Sequence, residues 1–458
     1  MTRNVHHVIN ATEHGVIGDD RTCNTKVFQT LIDRIVAAGG GTILLPRGSY
    51  RSGTLRLGSG LTLCLMDGAV LRGTGRLADY QIDGKLAGLL YAREANDLRI
   101  EGPGLIDGAG EAFFDPARPH DFIDYDLSRT RQGHDFIDPA TRCANGPVHT
   151  FERPGNLLVF AACRNLVLAD FAVRGAAYWT IHLADCENAL IQRLHIDNDR
   201  CHPNNDGIHL TTCRRTRILD CVISTGDDAI AVTGFRSMPL EPNINLGLED
   251  RDGVGEDIEI ARCRLASRSS GIRIGYGQND VRRVSVHDVL IHDSNRGICI
   301  QSRNQGALAD LSFERIRIGT RYENGPWWGH GETIHMSAAD YESGIAPGKI
   351  QNVSFRDIDA EGEDGILLWA ERPGLIRDVR LERVSMRLCP GALSLRMGGN
   401  RDLRPTLNPA SAITAGPLAP LDATRIEGLA VKDCRWSALP GMPVFADNHP
   451  YLDDSGEH

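Results

Sequence analysis

The chain has 458 residues, a formal net charge of −10 and 49 glycines, so glycine makes up about 11% of it against the usual ~7%. This composition predicts a turn-rich protein, and the acidic balance argues against a nucleic-acid partner, because binding phosphates needs a basic face. The length allows two or three average domains, or one large β domain or solenoid.

The first residues, MTRNVHHVINATEHG, lack the apolar stretch of a signal peptide, and no run approaches the ~20 apolar residues of a membrane span. We therefore expect a cytoplasmic protein with no membrane partner. The twelve cysteines are then expected to be reduced thiols, most of them buried. No CxxC pair occurs, so neither zinc nor another metal or cofactor is expected.

The first element in chain order is a helix over roughly 25–38, capped by Asn24 or Thr25 and ended by the glycines at 39–41. Five apolar residues share one face of this helix: Val27, Phe28, Leu31, Ile32 and Ile35. Residues 1–50 are therefore predicted to form an N-terminal helical cap.

From about residue 95 the chain becomes a series of short alternating strands, such as NLLVFAACRNLVLADFAVRG and WTIHLADCENALIQRLHIDN. Cys163, Cys186 and Cys213 mark equivalent points at spacings of 23 and 27 residues. A repeat of this length without helices predicts an all-β solenoid, the parallel β-helix. We expect a single domain over 1–458, with coils from about 51 to 400 and an irregular segment over about 401–458.

Asp206 and Asp227 are 21 residues apart, with Asp228 beside the second. If 21 residues make one coil, these carboxylates stack on the same surface. Alternation along the strands turns the isoleucines inward and the residues between them outward. The outer face is then predicted to collect the aspartates and four further side chains: His209, Arg273, Gln301 and His335.

Paired carboxylates on a cleft supply the acid and the base of glycoside hydrolysis. Crowding three of them raises the pKa of at least one, because like charges resist joint ionisation. Adjacent Asp227 and Asp228 can both reach one cleft only if they lie at a bend entering a strand, which Gly226 permits. The alternative for either motif alone is ordinary turn chemistry.

These motifs resemble glycoside hydrolase family 28, the polygalacturonase family of right-handed parallel β-helices. The resemblance covers roughly 10–400 and includes NND at 204–206, TGDD at 225–228 and the interval between them. It implies an inverting hydrolase of oligosaccharides. By position, Asp227 would be the general acid, Asp206 and Asp228 would hold and activate water, and Asn204 would orient these carboxylates.

Two motifs of the family are missing. Ser270 stands where the resemblance places a histidine, and Cys299 and Gln301 stand where it places the Arg and Lys that bind the galacturonate carboxylate. A Lys-to-Gln change keeps hydrogen bonding but removes the charge. Either Arg273 supplies a replacement cation, or the substrate sugar is neutral or carries its acid elsewhere, and we favour the second explanation.

Other candidates for substrate contact lie nearby. His209 could take the missing histidine's role or be an ordinary satisfied histidine. Trp327 and Trp328 are an aromatic pair suited to a sugar ring, although one of them could simply plug a loop. Glu332 and His335 belong to the same later stretch, and the insertion over 235–257 could wall one end of the cleft.

The sequence thus predicts an exo-acting hydrolase of short plant-cell-wall or pectin-derived oligosaccharides. It leaves open the sugar, the linkage and the oligomeric state. One alternative is a polysaccharide lyase with Arg273 as base and calcium on the aspartates, although calcium takes about six to eight oxygen ligands. Others are a glycosyl-transferring or anhydro-forming enzyme, and a non-catalytic carbohydrate-binding β-helix.

Overall fold

The computed structural model describes residues 7–120, 142–236, 252–323, 325–342, 344–389, 391, 394, 399–406 and 413–438. Its strands pair in parallel from coil to coil, in a long sheet of 22 strands and a short sheet of 11 strands. The predicted right-handed parallel β-helix is confirmed.

The short sheet consists of β5 Leu55–Leu57, β10 Leu90–Arg93, β15 Leu158–Ala161, β18 Ile181–Ala184, β21 Ile208–Thr211, β24 Ile230–Gly234, β27 Ser270–Gly277, β29 Arg296–Ser302, β31 Glu332–Ala338, β33 Asp364–Ala370 and β37 Leu421–Thr424.

The long sheet consists of β1 His7–Asn10, β2 Asp19–Cys23, β3 Gly41–Leu45, β4 Gly48–Ser52, β6 Leu61–Leu65, β7 Ala69–Gly73, β11 Arg99–Glu101, β12 Leu105–Asp107, β16 Arg164–Ala169, β17 Ala172–Arg174, β19 Glu187–Gln192, β20 His195–Asp197, β22 Arg214–Leu219, β23 Val222–Thr225, β25 Gly255–Ala261, β26 Arg264–Ser267, β28 Val281–Ser294, β30 Leu308–Thr320, β32 Ile350–Gly362, β34 Ile376–Leu388, β38 Ile426–Lys432 and β39 Arg435–Ala438.

Three antiparallel hairpins lie outside these sheets: β8 Gln81–Ile82 with β9 Lys85–Leu86, β13 Phe114–Pro119 with β14 Val148–Thr150, and β35 Gly399–Asp402 with β36 Ile413–Gly416. The α-helices are α1 Thr25–Ala37 and α2 Arg142–Asn145, and the 3₁₀ helices are Ala11–His14, Leu77–Asp79 and Gly110–Phe113.

In the interior, inward-facing apolar side chains of successive coils stack in rows, as the alternation predicts. One row of the short sheet runs Ile181, Ile208, Ile230, Ile272, Ile298, Ile334 and Ile366, with each side chain above its equivalent in the next coil. All seven are at most 1% exposed. Fully burying one such side chain contributes about 1.5–3 kcal/mol, so neighbouring coils stabilise each other through their shared core.

A column of charges runs along the long sheet, at the turns between its shorter strands and at the equivalent positions inside β28, β30, β32 and β34. Its members alternate in sign along successive coils: Asp170, Arg193, Asp220, Arg262, Asp288, Arg315, Asp357, Arg383 and Asp433. All nine adopt the left-handed backbone conformation, with φ between 51° and 70°. We call this column the charge ladder.

Helix α1 covers the N-terminal end and Asn24 is its N-cap residue, both as predicted, but the cap lacks a side-chain hydrogen bond. The side chain of Asn24 makes no cap hydrogen bond, because its Oδ1 accepts from the backbone N–H of Ile17 at 2.7 Å. The Thr25 hydroxyl accepts from the backbone N–H of Gly53 at 2.7 Å. Both side chains therefore join the helix to neighbouring segments of the chain.

The C-terminal part differs from the expected irregular segment. Strands β37, β38 and β39 continue the coils to Ala438, and the hairpin β35–β36 precedes them. Since 395–398 and 407–412 lie outside the described residues, only 399–406 and 413–416 of the intervening segment can be placed. The short sheet thus resumes after a long excursion that interrupts the repeat in the sequence.

The twelve cysteines are all free thiols, six of them fully buried. Among the described residues, no helix combines the length and the apolar character that crossing a membrane requires.

Candidate active site

The three aspartates meet at the entry to two neighbouring strands of the short sheet. Asp206 precedes β21, and Asp227 and Asp228 precede β24. The backbone N–H of Gly207 donates to the carbonyl of Asp228 at 2.9 Å, which places Asp206 and Asp228 in register one coil apart. The carboxylates meet one coil apart as predicted, but the coil here is 22 residues long, so the residue aligned with Asp206 is Asp228 and not Asp227.

The bend before β24 presents both adjacent aspartates to one side. The Asn205 Oδ1 accepts from the backbone N–H groups of Gly226 at 2.7 Å and of Asp227 at 3.2 Å. A Cβ at Gly226 would lie 2.2 Å from the carbonyl oxygen of His202. Only glycine therefore lets the chain pass this close to the preceding coil.

Arg273 lies against the aspartates on the next coil, at 7% exposure. Its Nε donates to Asp228 Oδ2, and its Nη2 lies 3.8 Å from Asp206 Oδ2. The backbone N–H of Ser270, the residue at the missing histidine's position, donates to Asp228 Oδ1 at 3.1 Å. The guanidinium charge is thus already engaged by two carboxylates inside the site.

Asp206 is buried and is contacted by a neutral histidine. Burial first, then the charges of Asp227 and Asp228, raise the pKa of Asp206 well above its usual range. Burial, helped by Arg273, lowers the pKa of His209 well below its usual range. The His209 Nδ1 lies 3.1 Å from Asp206 Oδ2 and its Nε2 lies 3.1 Å from the Thr233 hydroxyl. In these two contacts one ring nitrogen of the neutral imidazole donates and the other accepts.

Asp227 is the half-exposed member of the three. Burial, then the charge of Asp228, raise its pKa to about 6. The Asn204 Nδ2 donates to Asp227 Oδ2 at 3.5 Å, and Asn204 is held in turn by Arg153, whose Nη2 donates to its Oδ1 at 2.7 Å. The site therefore combines a half-buried carboxyl group that keeps its proton up to about pH 6 with two buried carboxyl groups beside a cation.

Aromatic rings follow one another along this part of the sheet. Trp179 stacks on His209 at a centroid distance of 3.6 Å, and Phe235 follows at 6.1 Å from His209. Tyr276 contacts Phe235 edge-on at 5.1 Å. Trp179 thus covers the side chain that contacts Asp206.

Several predicted substrate-contacting residues are covered by other parts of the chain. Gln301 and His335 share the outward rows with His209 and Arg273 but are 0% exposed, and Glu332 is 1% exposed. Glu332 accepts from Arg296 at 3.3 Å and lies 3.2 Å from His335. The expectation that these side chains face an open cleft is corrected, because Gln301 donates to the carbonyl of Arg404 at 2.8 Å and His335 lies 2.7 Å from the Ser337 hydroxyl in the interior.

Trp327 and Trp328 differ in burial. Trp327 is 6% exposed and its Nε1 donates to the carbonyl of Asn145 at 3.1 Å, so it fastens its loop to α2. Trp328 is half-buried. Of the insertion over 235–257, residues 237–251 lie outside the described residues.

Sequence reasoning missed three residues that act on the aspartates. Arg153 holds Asn204, the Ser269 hydroxyl hydrogen-bonds Asp227 and lowers its pKa, and Thr233 contacts His209. Counting one coil from Asp227 leads to Ser269, whereas Thr233 is one coil from Thr211, two residues beyond His209. Arg153 could not be found in this way, because its loop lies outside the repeat. Within the described residues, no group of three or more His, Cys, Asp or Glu could hold a metal ion.

Comparison with known proteins adds a family and a fold. The sequence model of the family described as "Glycosyl hydrolases family 28" matches residues 132–325. A probable polygalacturonase of Vitis vinifera is 24% identical over 375 residues, which cover 78% of this chain and 69% of that relative. An exo-poly-alpha-D-galacturonosidase of Dickeya chrysanthemi is 28% identical over 283 residues, which cover 54% of this chain and 46% of that relative.

The fold has a counterpart among solved structures. The family 28 exopolygalacturonase of Yersinia enterocolitica matches with a TM-score of 0.62 at 17% identity, over 96% of this chain and 79% of that one. At this identity the likeness concerns the fold alone.

Proposed function

Since the chain belongs to glycosyl hydrolases family 28 and is a glycosidase, we propose that it is an exo-acting, inverting hydrolase of pectin-derived oligosaccharides. The observation that carries this proposal is the division among the three aspartates. Asp227 is half-exposed with a pKa of about 6, whereas Asp228 contacts Arg273. The relatives' names support a pectin-type substrate.

In this proposal Asp227 is the general acid. It gives its proton to the glycosidic oxygen as the bond between that oxygen and the anomeric carbon breaks. A carboxyl group with a pKa near the working pH is suited to this role. Asn204, which donates to Asp227 at 3.5 Å, fixes the direction of the carboxyl group.

Asp228 and Asp206 hold the water that attacks the anomeric carbon from the opposite face. The Asp228 carboxylate takes the proton of this water, and Arg273 stabilises its negative charge. The proton lost by Asp227 and the proton gained by the base balance at the end of the cycle through solvent. The released sugar would therefore carry the inverted anomeric configuration.

A neutral sugar at the cleaved bond agrees with the charges of the site. On the short-sheet strands β15, β18, β21, β24 and β27, which the structure describes completely, Arg273 is the one Lys or Arg, and its guanidinium contacts Asp228 and lies 3.8 Å from Asp206. A uronate carboxylate placed here would face these aspartates and add a like charge. We call residues 399–406 the strap. We therefore propose that the sugar on the side of the cleaved bond that faces the strap is neutral.

The test is a mass-spectrometric product screen of the purified protein on galacturonate oligomers and on neutral plant oligosaccharides, beside Asp227→Asn. We expect release of a neutral terminal sugar that has gained water, and loss of this activity in the variant. Release of galacturonate would refute the neutral sugar. An unsaturated product without added water would instead identify a lyase.

A further inference from the structure

The strap lies across the short sheet one coil beyond Arg273. We propose that the strap permanently fills the sugar-binding position over β29, closes the cleft at that end and so makes the enzyme act on substrate ends. This inference rests on the proposed hydrolase function and assigns the residues that limit the length of the substrate on one side.

The strap is held by its backbone. Four successive carbonyl groups accept hydrogen bonds from side chains of β29 or of the residue that follows it. Arg296 Nη2 donates to Asp402 O at 2.5 Å, Arg303 Nη2 to Leu403 O at 2.7 Å, Gln301 Nε2 to Arg404 O at 2.8 Å and Arg303 Nε to Pro405 O at 3.0 Å.

Buried ion pairs add to these backbone contacts. Arg404 Nη2 donates to Asp402 Oδ2 at 2.6 Å, and Arg296 Nη2 lies 3.5 Å from the same oxygen. These three side chains are at most 1% exposed. Arg404 also donates to the carbonyl of Trp327 at 2.7 Å. Lifting the strap would leave charges without partners in the interior, so it is a fixed part of the wall and not a mobile lid.

The strap occupies the place where the resemblance puts substrate recognition. Cys299 and Gln301 stand at the positions of the two cations, and both are 0% exposed. The amide of Gln301 donates to the chain's own carbonyl, and Arg296 Nη1 donates to Cys299 Sγ at 3.8 Å. Strap carbonyls thus take the hydrogen bonds that sugar oxygens would accept, and a sugar ring cannot enter.

The distance along the sheet between the catalytic aspartates and the strap is short. From β24, which follows Asp227 and Asp228, to β29 there are two strand spacings, roughly 10 Å. A sugar chain that continued past this distance along the sheet would meet the strap. Only the end of a chain can therefore reach across Asp227 on this side.

The proposal is tested first on the intact protein, with oligosaccharides that it cleaves and that carry a bulky tag at one end or at the other. We expect one of the two tags to lower kcat/KM by roughly 100-fold or more, because it displaces the bond from the aspartates, and the other tag to be tolerated. Cleavage of both tagged substrates at the untagged rate would overturn the proposal. Failure to cleave any untagged substrate would count against the proposed function itself.

A second test removes the strap. Arg401 and Thr414 are paired across the hairpin β35–β36, so 402–413 can be replaced by a two-residue Asn-Gly turn of the kind that joins antiparallel strands. We expect this variant to cleave both tagged substrates. The matched control, Arg401→Gln, breaks the ion pair with Asp422 at 2.7 Å but keeps the strap, and it should discriminate as the wild type does.

Circular dichroism and thermal melting establish that the excised variant is folded. A folded variant that still rejects the same tagged substrate would overturn the proposal. If excision prevents folding, the tagged-substrate measurement on the intact protein decides.

Discussion

At the scale of single residues, the site places three carboxyl groups around one guanidinium. Burial and neighbouring carboxylate charges raise the pKa of both Asp206 and Asp227, so these two groups do not titrate independently. What separates the three is contact with other groups. Asp228 contacts Arg273, Asp206 lies 3.1 Å from a neutral His209, and Asp227 is half-exposed. Access to solvent and substrate therefore selects Asp227 as the residue that delivers the proton.

The first prediction concerns pH. Because Asp227 must be protonated to act and its pKa is about 6, kcat should fall as pH rises through about 6. The measurement is kcat against pH at saturating substrate. In Asp227→Asn the amide has no proton to give. The fall of kcat at higher pH, the alkaline limb of the profile, should therefore vanish, and kcat should be lower by about 10²–10⁴-fold. A limb of unchanged position in the variant would contradict the assignment.

The variant Arg273→Met tests the same alkaline limb of the pH profile of kcat. The cation lowers the pKa of both Asp206 and Asp227, so its removal should move the alkaline limb to higher pH while kcat falls. An effect on KM for uronate substrates alone, with no movement of the limb, would show that Arg273 binds the substrate carboxylate instead.

At the scale of elements, the bend before β24 gives Asp227 its position. Gly226→Ala should reduce kcat strongly, because the new Cβ would lie 2.2 Å from His202 O and the bend must shift. Gly319→Ala is the control, since its Cβ meets nothing nearer than 3.9 Å. Steady-state kinetics and melting curves of the two variants check this. Equal activity in both would contradict the role of the bend.

The charge ladder is a second device at this scale. Like-charged residues in the same turn of successive coils would repel, whereas alternating Asp and Arg attract, so the ladder favours the register observed. Its contacts include Arg262 to Asp220 at 2.7 Å and Arg315 to Asp288 at 2.7 Å. A coil slipped by one turn position would lose these pairs.

Arg262→Asp should therefore lower the melting temperature by placing three carboxylates in consecutive turns. The difference from wild type should shrink at about 1 M salt, where charges are screened beyond roughly 3 Å. Arg262→Gln, which removes the charge without reversing it, should lie between the two. A loss of stability that salt does not change would show that the ladder acts through packing.

At the scale of the whole molecule, the repeating part of the fold could be predicted from sequence, because each coil obeys the same local rules. Alternation identified the inward isoleucines, and the expected interval of 21 residues brought Asp206 beside the aspartate pair, one residue short of the register with Asp228. The strap could not be predicted, because the hydrogen bond from Arg296 to the carbonyl of Asp402 joins residues that are 106 apart in the sequence. No repeat in the sequence indicates such a contact. For the same reason Gln301 and His335 were expected to be exposed, and the coils were expected to end near 400.

The most direct test of the central claim is the anomeric configuration of the released sugar, followed by proton NMR during the first turnovers. If Asp227 acts as acid while Asp206 and Asp228 activate water, the first product detected has the configuration opposite to that of the bond cleaved. A product of retained configuration would mean that one aspartate attacks the sugar directly, and the division of roles among the three carboxyl groups would be wrong.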